Sequence, residues 1–263
     1  MEVHWLEQSE ADVPMTDDWL SDSESARLSE LRFAKRRADW RLGRWTAKCA
    51  VAACLKLPAD LPLLKRIEII AASTGQPEVV LRESAETATI SISHRNGIAI
   101  CAVAVGNVML GCDLELIEAR SDAFIADYFT QEEQALVAQA AGERQRYLLV
   151  SLLWSAKESA LKAMHVGLRA DTRSVEVKMI DPLGIQFGDV QGTAIENVRT
   201  AKHPSIMRIN WHPLRVDSAE GTMFRGWWRQ SANILRTVVA TPPPAPPIAM
   251  RSPNRVVDAS VLS

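Results

Sequence analysis

The sequence contains no Cys-x-x-Cys pair, and no histidine stands at metal-ligand spacing from its four cysteines, Cys49, Cys54, Cys101 and Cys112. That excludes the common zinc-site patterns. Each cysteine sits among apolar neighbours, where a free thiol behaves as a small buried hydrophobe, so a reducing compartment is expected. No window approaches the roughly 20 apolar residues of a membrane span. The first residues, Met1-Glu2-Val3-His4-Trp5-Leu6-Glu7, lack the basic start and apolar stretch of a secretory leader, and a cytoplasmic location is expected. A charge bias is missing too. The net charge of −2 gives no global attraction to nucleic acid or to a membrane, so any anionic ligand must meet a local basic patch. No internal repeat is evident.

What is present is apolar bulk: 47% of 263 residues, enough for one large domain or two small ones. A strand is expected over residues 3–6 and a polar, acidic helix before residue 30. Residues 32–56 read as a long helix, with Trp40, Ala47, Ala50, Val51 and Cys54 on one face. Arg37, Arg41, Arg44 and Lys48 recur on another face, and Leu57-Pro58 ends the helix. Strands are expected over 67–72 and 89–93, each followed by a turn, Ser73-Thr74-Gly75-Gln76-Pro77 and His94-Arg95-Asn96-Gly97. Residues 98–105 form an apolar strand. Gly106-Asn107 is expected to turn it into a hairpin with 108–117. A second long helix is expected over 145–165, and strands over 172–179, 184–187 and 206–211. Residues 226–239 stay open between strand and irregular structure.

Two segments carry chemistry. In Gly111-Cys112-Asp113-Leu114-Glu115 the two acids share one face of a strand. Alternating acids are usually a solvated face, but these follow an apolar run that should be buried. Two like charges near a core are costly unless a cation compensates them. In Trp154-Ser155-Ala156-Lys157-Glu158-Ser159-Ala160-Leu161-Lys162, the plain reading of Glu158 and Lys162 is a surface i, i+4 pair. Trp154 lies on the same stripe and suggests partial cover. Together the three acids and the lysine suit a hard divalent cation and a phosphate-bearing substrate. Ser91-Ile92-Ser93-His94 can offer hydroxyl, backbone N–H and imidazole to a phosphate. The stripe Arg36, Arg37, Arg41, Arg44 and Lys48 is either a solvated face or a phosphate contact. Thr130-Gln131-Glu132-Glu133 reads as a capping box that by itself accounts for Glu133.

In their order and spacing these segments resemble the 4′-phosphopantetheinyl transferase superfamily, in its longer, single-chain, Sfp-like branch. Ser91-Ile92-Ser93-His94, the Asp113/Glu115 segment and the Trp154–Lys162 segment are similar to three of its motifs. Gly43-Arg44 with Ala47-Lys48 is similar to a fourth. The resemblance runs from about residue 32 to about 178. It implies an α+β fold of two similar halves related by a pseudo-twofold axis, each a small antiparallel sheet on a long helix, with coenzyme A between them. It implies transfer of the phosphopantetheine arm of coenzyme A to a serine of an acyl or peptidyl carrier protein, releasing adenosine 3′,5′-bisphosphate.

Carried over residue by residue, the resemblance makes Asp113, Glu115 and Glu158 the Mg²⁺ ligands. Lys162 faces a phosphate, and Glu158 or Glu133 takes the serine proton. Ser93, His94, Arg44 and Arg36 hold the nucleotide end, beside Gln76 and Pro77. Gln76 stands where the family carries a lysine, which removes one charge from that contact. The expected boundaries are 1–105 for the nucleotide-side half, 106–240 for the half with the acidic motifs, and 241–263 for a disordered Pro-rich tail. A monomer is expected. The rival readings are a carrier-protein binding module that has lost catalysis and a nucleotide hydrolase.

Overall fold

A computed structural model describes residues 1–58, 60–81, 87–178 and 211–251 of the chain. The first part runs β1 (His4–Ser9), α1 (Asp22–Glu30), α2 (Ala34–Cys54), α3 (Leu61–Arg66), β2 (Ile67–Ala71), β3 (Pro77–Leu81), β4 (Ala88–Arg95), β5 (Ile98–Val105). The second part runs β6 (Met109–Leu116), α4 (Asp122–Tyr128), α5 (Gln131–Ala138), α6 (Glu143–Ala163), β7 (Val175–Lys178), β8 (His212–Ser218), β9 (Met223–Ser231), β10 (Ile234–Thr241), β11 (Ile248–Ala249). The strand expected over 184–187, and all of 206–211 but Trp211, lie outside the described residues. Residues 226–239, left open by the sequence, lie within the hairpin of β9 and β10.

Two sheets organise the chain, in the orders β11-β1-β5-β4 and β6-β10-β9-β8-β7, with β2 and β3 as a separate hairpin. The long helices cover one face of each. On α2, Trp45, Ala47 and Val51 pack against Leu6, Ile90 and Val103. On α6, Leu149, Leu153 and Ala160 pack against Val216, Phe224 and Val239. Each such large side chain contributes roughly 1.5–3 kcal/mol when fully buried. A third apolar cluster lies between the sheets, where Trp5, Ile100 and Ala102 meet Leu110, Cys112 and Val238.

The expected hairpin at Gly106-Asn107 does not form. β5 pairs with β1 and β4, whereas β6 pairs with β10. The chain instead steps from one sheet to the other, with Thr89 Oγ1 donating to Gly106 O at 2.7 Å. The hairpin turn is Asn96-Gly97, which joins β4 to β5 with φ of 52° and 73°. Those paired positive values suit the twist of antiparallel strands and favour Asn followed by Gly.

The Pro-rich stretch also departs from expectation. Its first part is a strap rather than a disordered tail. Ala245 N donates to Met1 O at 2.9 Å, Met250 N to Trp5 O at 2.8 Å, and Trp227 Nε1 to Pro244 O at 3.1 Å. β11 adds a parallel edge to β1. Prolines that cannot donate are tolerated at such an edge, because their carbonyls and the non-proline amides still pair.

A repeat invisible by eye emerges from the packing. Trp45-Thr46-Ala47-Lys48 on α2 has its counterpart 109 positions later in Trp154-Ser155-Ala156-Lys157 on α6. Ser21 and Thr130 each open a helix with a capping box, closed by Glu24 and Glu133. Lys48 pairs with Glu24 at 2.5 Å, and Lys157 with Glu133 at 2.8 Å, both pairs almost fully buried. Each glutamate also accepts from a strand amide, Ile69 N at 3.1 Å and Val177 N at 2.8 Å. The polar staple thus occurs twice, tying α2 to β2 of the small hairpin and α6 to β7 of the five-stranded sheet, while the apolar residues around it have diverged.

Gly111 fixes the spacing between β6 and α6. A Cβ there would lie 1.8 Å from the backbone oxygen of Ser159. Gly111→Ala must push a strand and a helix apart and is expected to cost about 1–3 kcal/mol. Chemical denaturation checks this, and a native midpoint would refute it.

Candidate active site at the junction of β6 and α6

Close approach at Gly111 brings the acidic strand face against the Trp154/Glu158/Lys162 stripe of α6. On the neighbouring face of α6, Ser155 and Ser159 hydroxyls meet Thr237 Oγ1 of β10 at 2.8 and 2.7 Å, which sets the helix rotation. Lys162 Nζ then reaches Asp113 Oδ1 at 2.7 Å and Cys112 O at 3.1 Å. The i, i+4 pair of Glu158 and Lys162 offered by the plain reading is not formed. Lys162 is turned toward the strand, and Glu158 is left with no hydrogen bond or ion pair among the described residues.

Asp113 is buried at 4% exposure. Ser93 Oγ donates to its Oδ1 at 2.8 Å, so the Ser-His segment of β4 is physically joined to the acidic segment of β6. Glu115 accepts from Trp154 Nε1 at 3.2 Å, and Arg120 and Arg95 stand 3.5 and 3.9 Å from its Oε2. Phe124 and Tyr128 pack on Trp154 with ring centroids 5.0 and 5.2 Å away.

The electrostatics follow from this crowding. Burial, then the charge of Asp113, pushes Glu158 up to about 7, with Lys162 pulling the other way and Glu115 adding to the rise. Burial and Asp113 likewise raise Glu115, against Arg95, Arg120 and the Trp154 hydrogen bond. At Lys162, burial disfavours the charge, but Asp113 and its other neighbours outweigh it and the net shift is upward. The cluster is a set of carboxylates short of positive charge.

That shortage is the test of whether a metal fits. Asp113 Oδ2 and Glu115 Oε2 are buried and have no hydrogen-bond partner. Oxygen-only donors of this kind suit Mg²⁺. No group of three or more His, Cys, Asp or Glu is drawn together as a ready metal site among the described residues. Lys162 and the two arginines hold part of the position a cation would take. The oxygen donors fit a hard divalent cation in type, and the unpartnered ones are those that Lys162 does not occupy.

The other sequence-predicted residues divide into three groups. Gln76 and Pro77, in the turn between β2 and β3, line a cavity of about 240 Å³ with Ser91, Lys162 and His165. At the end of β4, His94 presents an edge to solvent, while the protein packed around the rest of its ring desolvates it and holds it below its usual range; it feels Asp39 and Lys35 of α2 as well as Lys162 and Asp113. The basic stripe is not one surface. Lys48 is the buried partner of Glu24, Arg41 pairs with Asp17 at 2.7 Å, and Arg37 donates to Leu28 O at 2.8 Å. Arg36 is exposed, and Arg44 lies over Trp40 with its Nε buried and unpartnered.

Glu133 is a correction. Its oxygens are taken by Lys157 Nζ, Thr130 N and Val177 N at 2.8, 2.9 and 2.8 Å, at 2% exposure. A carboxylate so enclosed cannot meet a substrate hydroxyl. Arg95 and Arg120 also reach the acidic cluster, and no periodicity marks them; Arg95 alone carries a signal, as the residue following the Ser-His segment.

With the geometry established, the relatives can be stated. Residues 109–205 match the family model described as the 4′-phosphopantetheinyl transferase superfamily. The L-aminoadipate-semialdehyde dehydrogenase-phosphopantetheinyl transferase of Xenopus laevis is 23% identical over 203 residues, 72% of this chain. The match spans 65% of that relative's length. A holo-(acyl-carrier-protein) synthase from Bacillus anthracis, solved with CoA (3′,5′-ADP), aligns at 17% identity and a TM-score of 0.36 over 40% of this chain and 94% of its own. The Helicobacter pylori holo-[acyl-carrier-protein] synthase, solved with coenzyme A, aligns at 20% and 0.32 over 40% and 99%. The matched segment begins at the first residue of β6 and contains both acidic motifs, and over that segment the chain is similar to the 4′-phosphopantetheinyl transferase superfamily.

Proposed function

We propose that this chain transfers the 4′-phosphopantetheine arm of coenzyme A to a serine hydroxyl of an acyl or peptidyl carrier protein. The observation that carries the reading is the meeting of Asp113, Glu115, Glu158 and Lys162 beside a cavity that reaches Gln76 and Ser91. In the reaction a bond forms between the serine oxygen and the phosphorus that bears the pantetheine. The bond from that phosphorus to the bridging oxygen of the nucleotide breaks, and adenosine 3′,5′-bisphosphate leaves. The serine proton passes to Glu158, the carboxylate with no partner of its own. Lys162 offsets the phosphate charge nearest the leaving group.

Asp113 and Glu115, with Glu158 beside them, would hold Mg²⁺, which when bound neutralises charge on the pyrophosphate oxygens. Ser93 orients Asp113 from the neighbouring strand. His94 and Arg36 hold the nucleotide end from β4 and α2, with Arg44 behind them.

The test is mass spectrometry of an apo carrier protein incubated with the chain, coenzyme A and Mg²⁺. One added phosphopantetheine per carrier, abolished by EDTA, is the expected result. Coenzyme A binding without transfer to any of several carriers would favour a binding module. Breakdown of coenzyme A in the absence of carrier would favour a hydrolase.

A further inference from the structure

The cavity beside the acidic cluster has walls of unequal chemistry. One wall is the turn Thr74-Gly75-Gln76-Pro77, which carries no charge. The other is the end of α6 and the residues after it, with Lys162, His165 and Gly167. Arg169, two residues after Gly167, is exposed and reaches the turn beside the cavity. Its Nη2 donates to Thr74 O at 2.6 Å and its Nε to Val166 O at 3.4 Å. Both acceptors are neutral carbonyls, and among the described residues no carboxylate pairs with this guanidinium. Lys162 on the same wall is, by contrast, paired with Asp113.

A guanidinium has five N–H donors in a planar fork, so most of this one stays free beside Thr74, which lines the cavity. Its position is already fixed by the turn it touches, so little side-chain freedom is lost when an anion arrives. We propose that Arg169 is a specificity-determining residue for the nucleotide end of the substrate: it supplies, from the segment after α6, the phosphate contact that an uncharged Gln76 cannot. The inference rests on the functional reading above, and it explains how the neutral turn remains compatible with a polyanionic ligand.

The experiment measures binding of adenosine 3′,5′-bisphosphate and of adenosine to the full chain, to Arg169→Gln, and to Arg169→Gln combined with Gln76→Lys. Arg169→Gln is expected to weaken the bisphosphate about tenfold, as for loss of one charged hydrogen bond, and to leave adenosine unchanged. Gln76→Lys should restore most of the loss, and about 0.5 M salt should narrow the difference, since exposed charges are screened at that strength. Equal losses for both ligands would reduce Arg169 to a clasp on the turn and overturn the proposal, as would an unchanged bisphosphate affinity. If the unsubstituted chain binds no bisphosphate, the functional reading itself fails and the inference falls with it.

Discussion

Asp113→Ala is expected to lower kcat/KM for phosphopantetheine transfer by about 10²–10³-fold, the range seen when one preorganised charge-stabilising group is removed. Asp113 is the hub of the site. It takes Ser93 from β4 and Lys162 from α6, and its second oxygen is buried without a partner. The fold should survive the change. Removing this charge relieves the pressure that raises Glu115 and Glu158, and Lys162 keeps Cys112 O as an acceptor. Asp113→Asn retains the shape and the Ser93 contact but not the charge, so it should lose almost as much activity with a native melting curve. Steady-state kinetics on folded protein decide the matter; native rates for Asp113→Asn in Mg²⁺ would refute the assignment of this carboxylate to the metal.

Glu133→Ala is expected to cost about 3–5 kcal/mol of stability, because it strands Lys157 as a buried, unpaired charge. Replacing a buried ion pair by two apolar residues is often neutral, but not here. Lys157 Nζ also donates to Thr172 O and Val175 O, and Glu133 also accepts from Thr130 N and Val177 N. Four backbone groups lose their partners, three of them buried and each of those at about 1–3 kcal/mol. Glu133→Leu with Lys157→Met should therefore stay severely destabilised. Urea denaturation measures both variants, and full recovery in the double variant would show that the pair, rather than its backbone contacts, holds the helix. Glu24 and Lys48 predict the same behaviour in the other half.

The sequence by itself determined most of the elements and the chemistry of the site. Period-2 alternation put Asp113 and Glu115 on one strand face, and a 3–4 residue step put Trp154, Glu158 and Lys162 on one helix stripe. Both are local properties of backbone geometry, and both hold in the structure. What stayed out of reach were properties that depend on which elements become neighbours. Gly106-Asn107 has hairpin chemistry, yet the strand after it pairs with β10, more than a hundred residues away in sequence, because both edges of β5 are taken by β1 and β4. Glu133 and Lys48 look like surface charges in sequence, and only the packing shows them enclosed as buried partners. The i, i+4 rule favours Glu158 with Lys162, but the close packing of α6 on β6 turns the lysine to the buried Asp113 and to Cys112 O instead. The Pro-rich segment docks because β1 presents an open edge. Local steric and periodic preferences are written residue by residue and can be read that way; the choice among competing partners is a balance of burial and charge that exists only once the two halves are packed together.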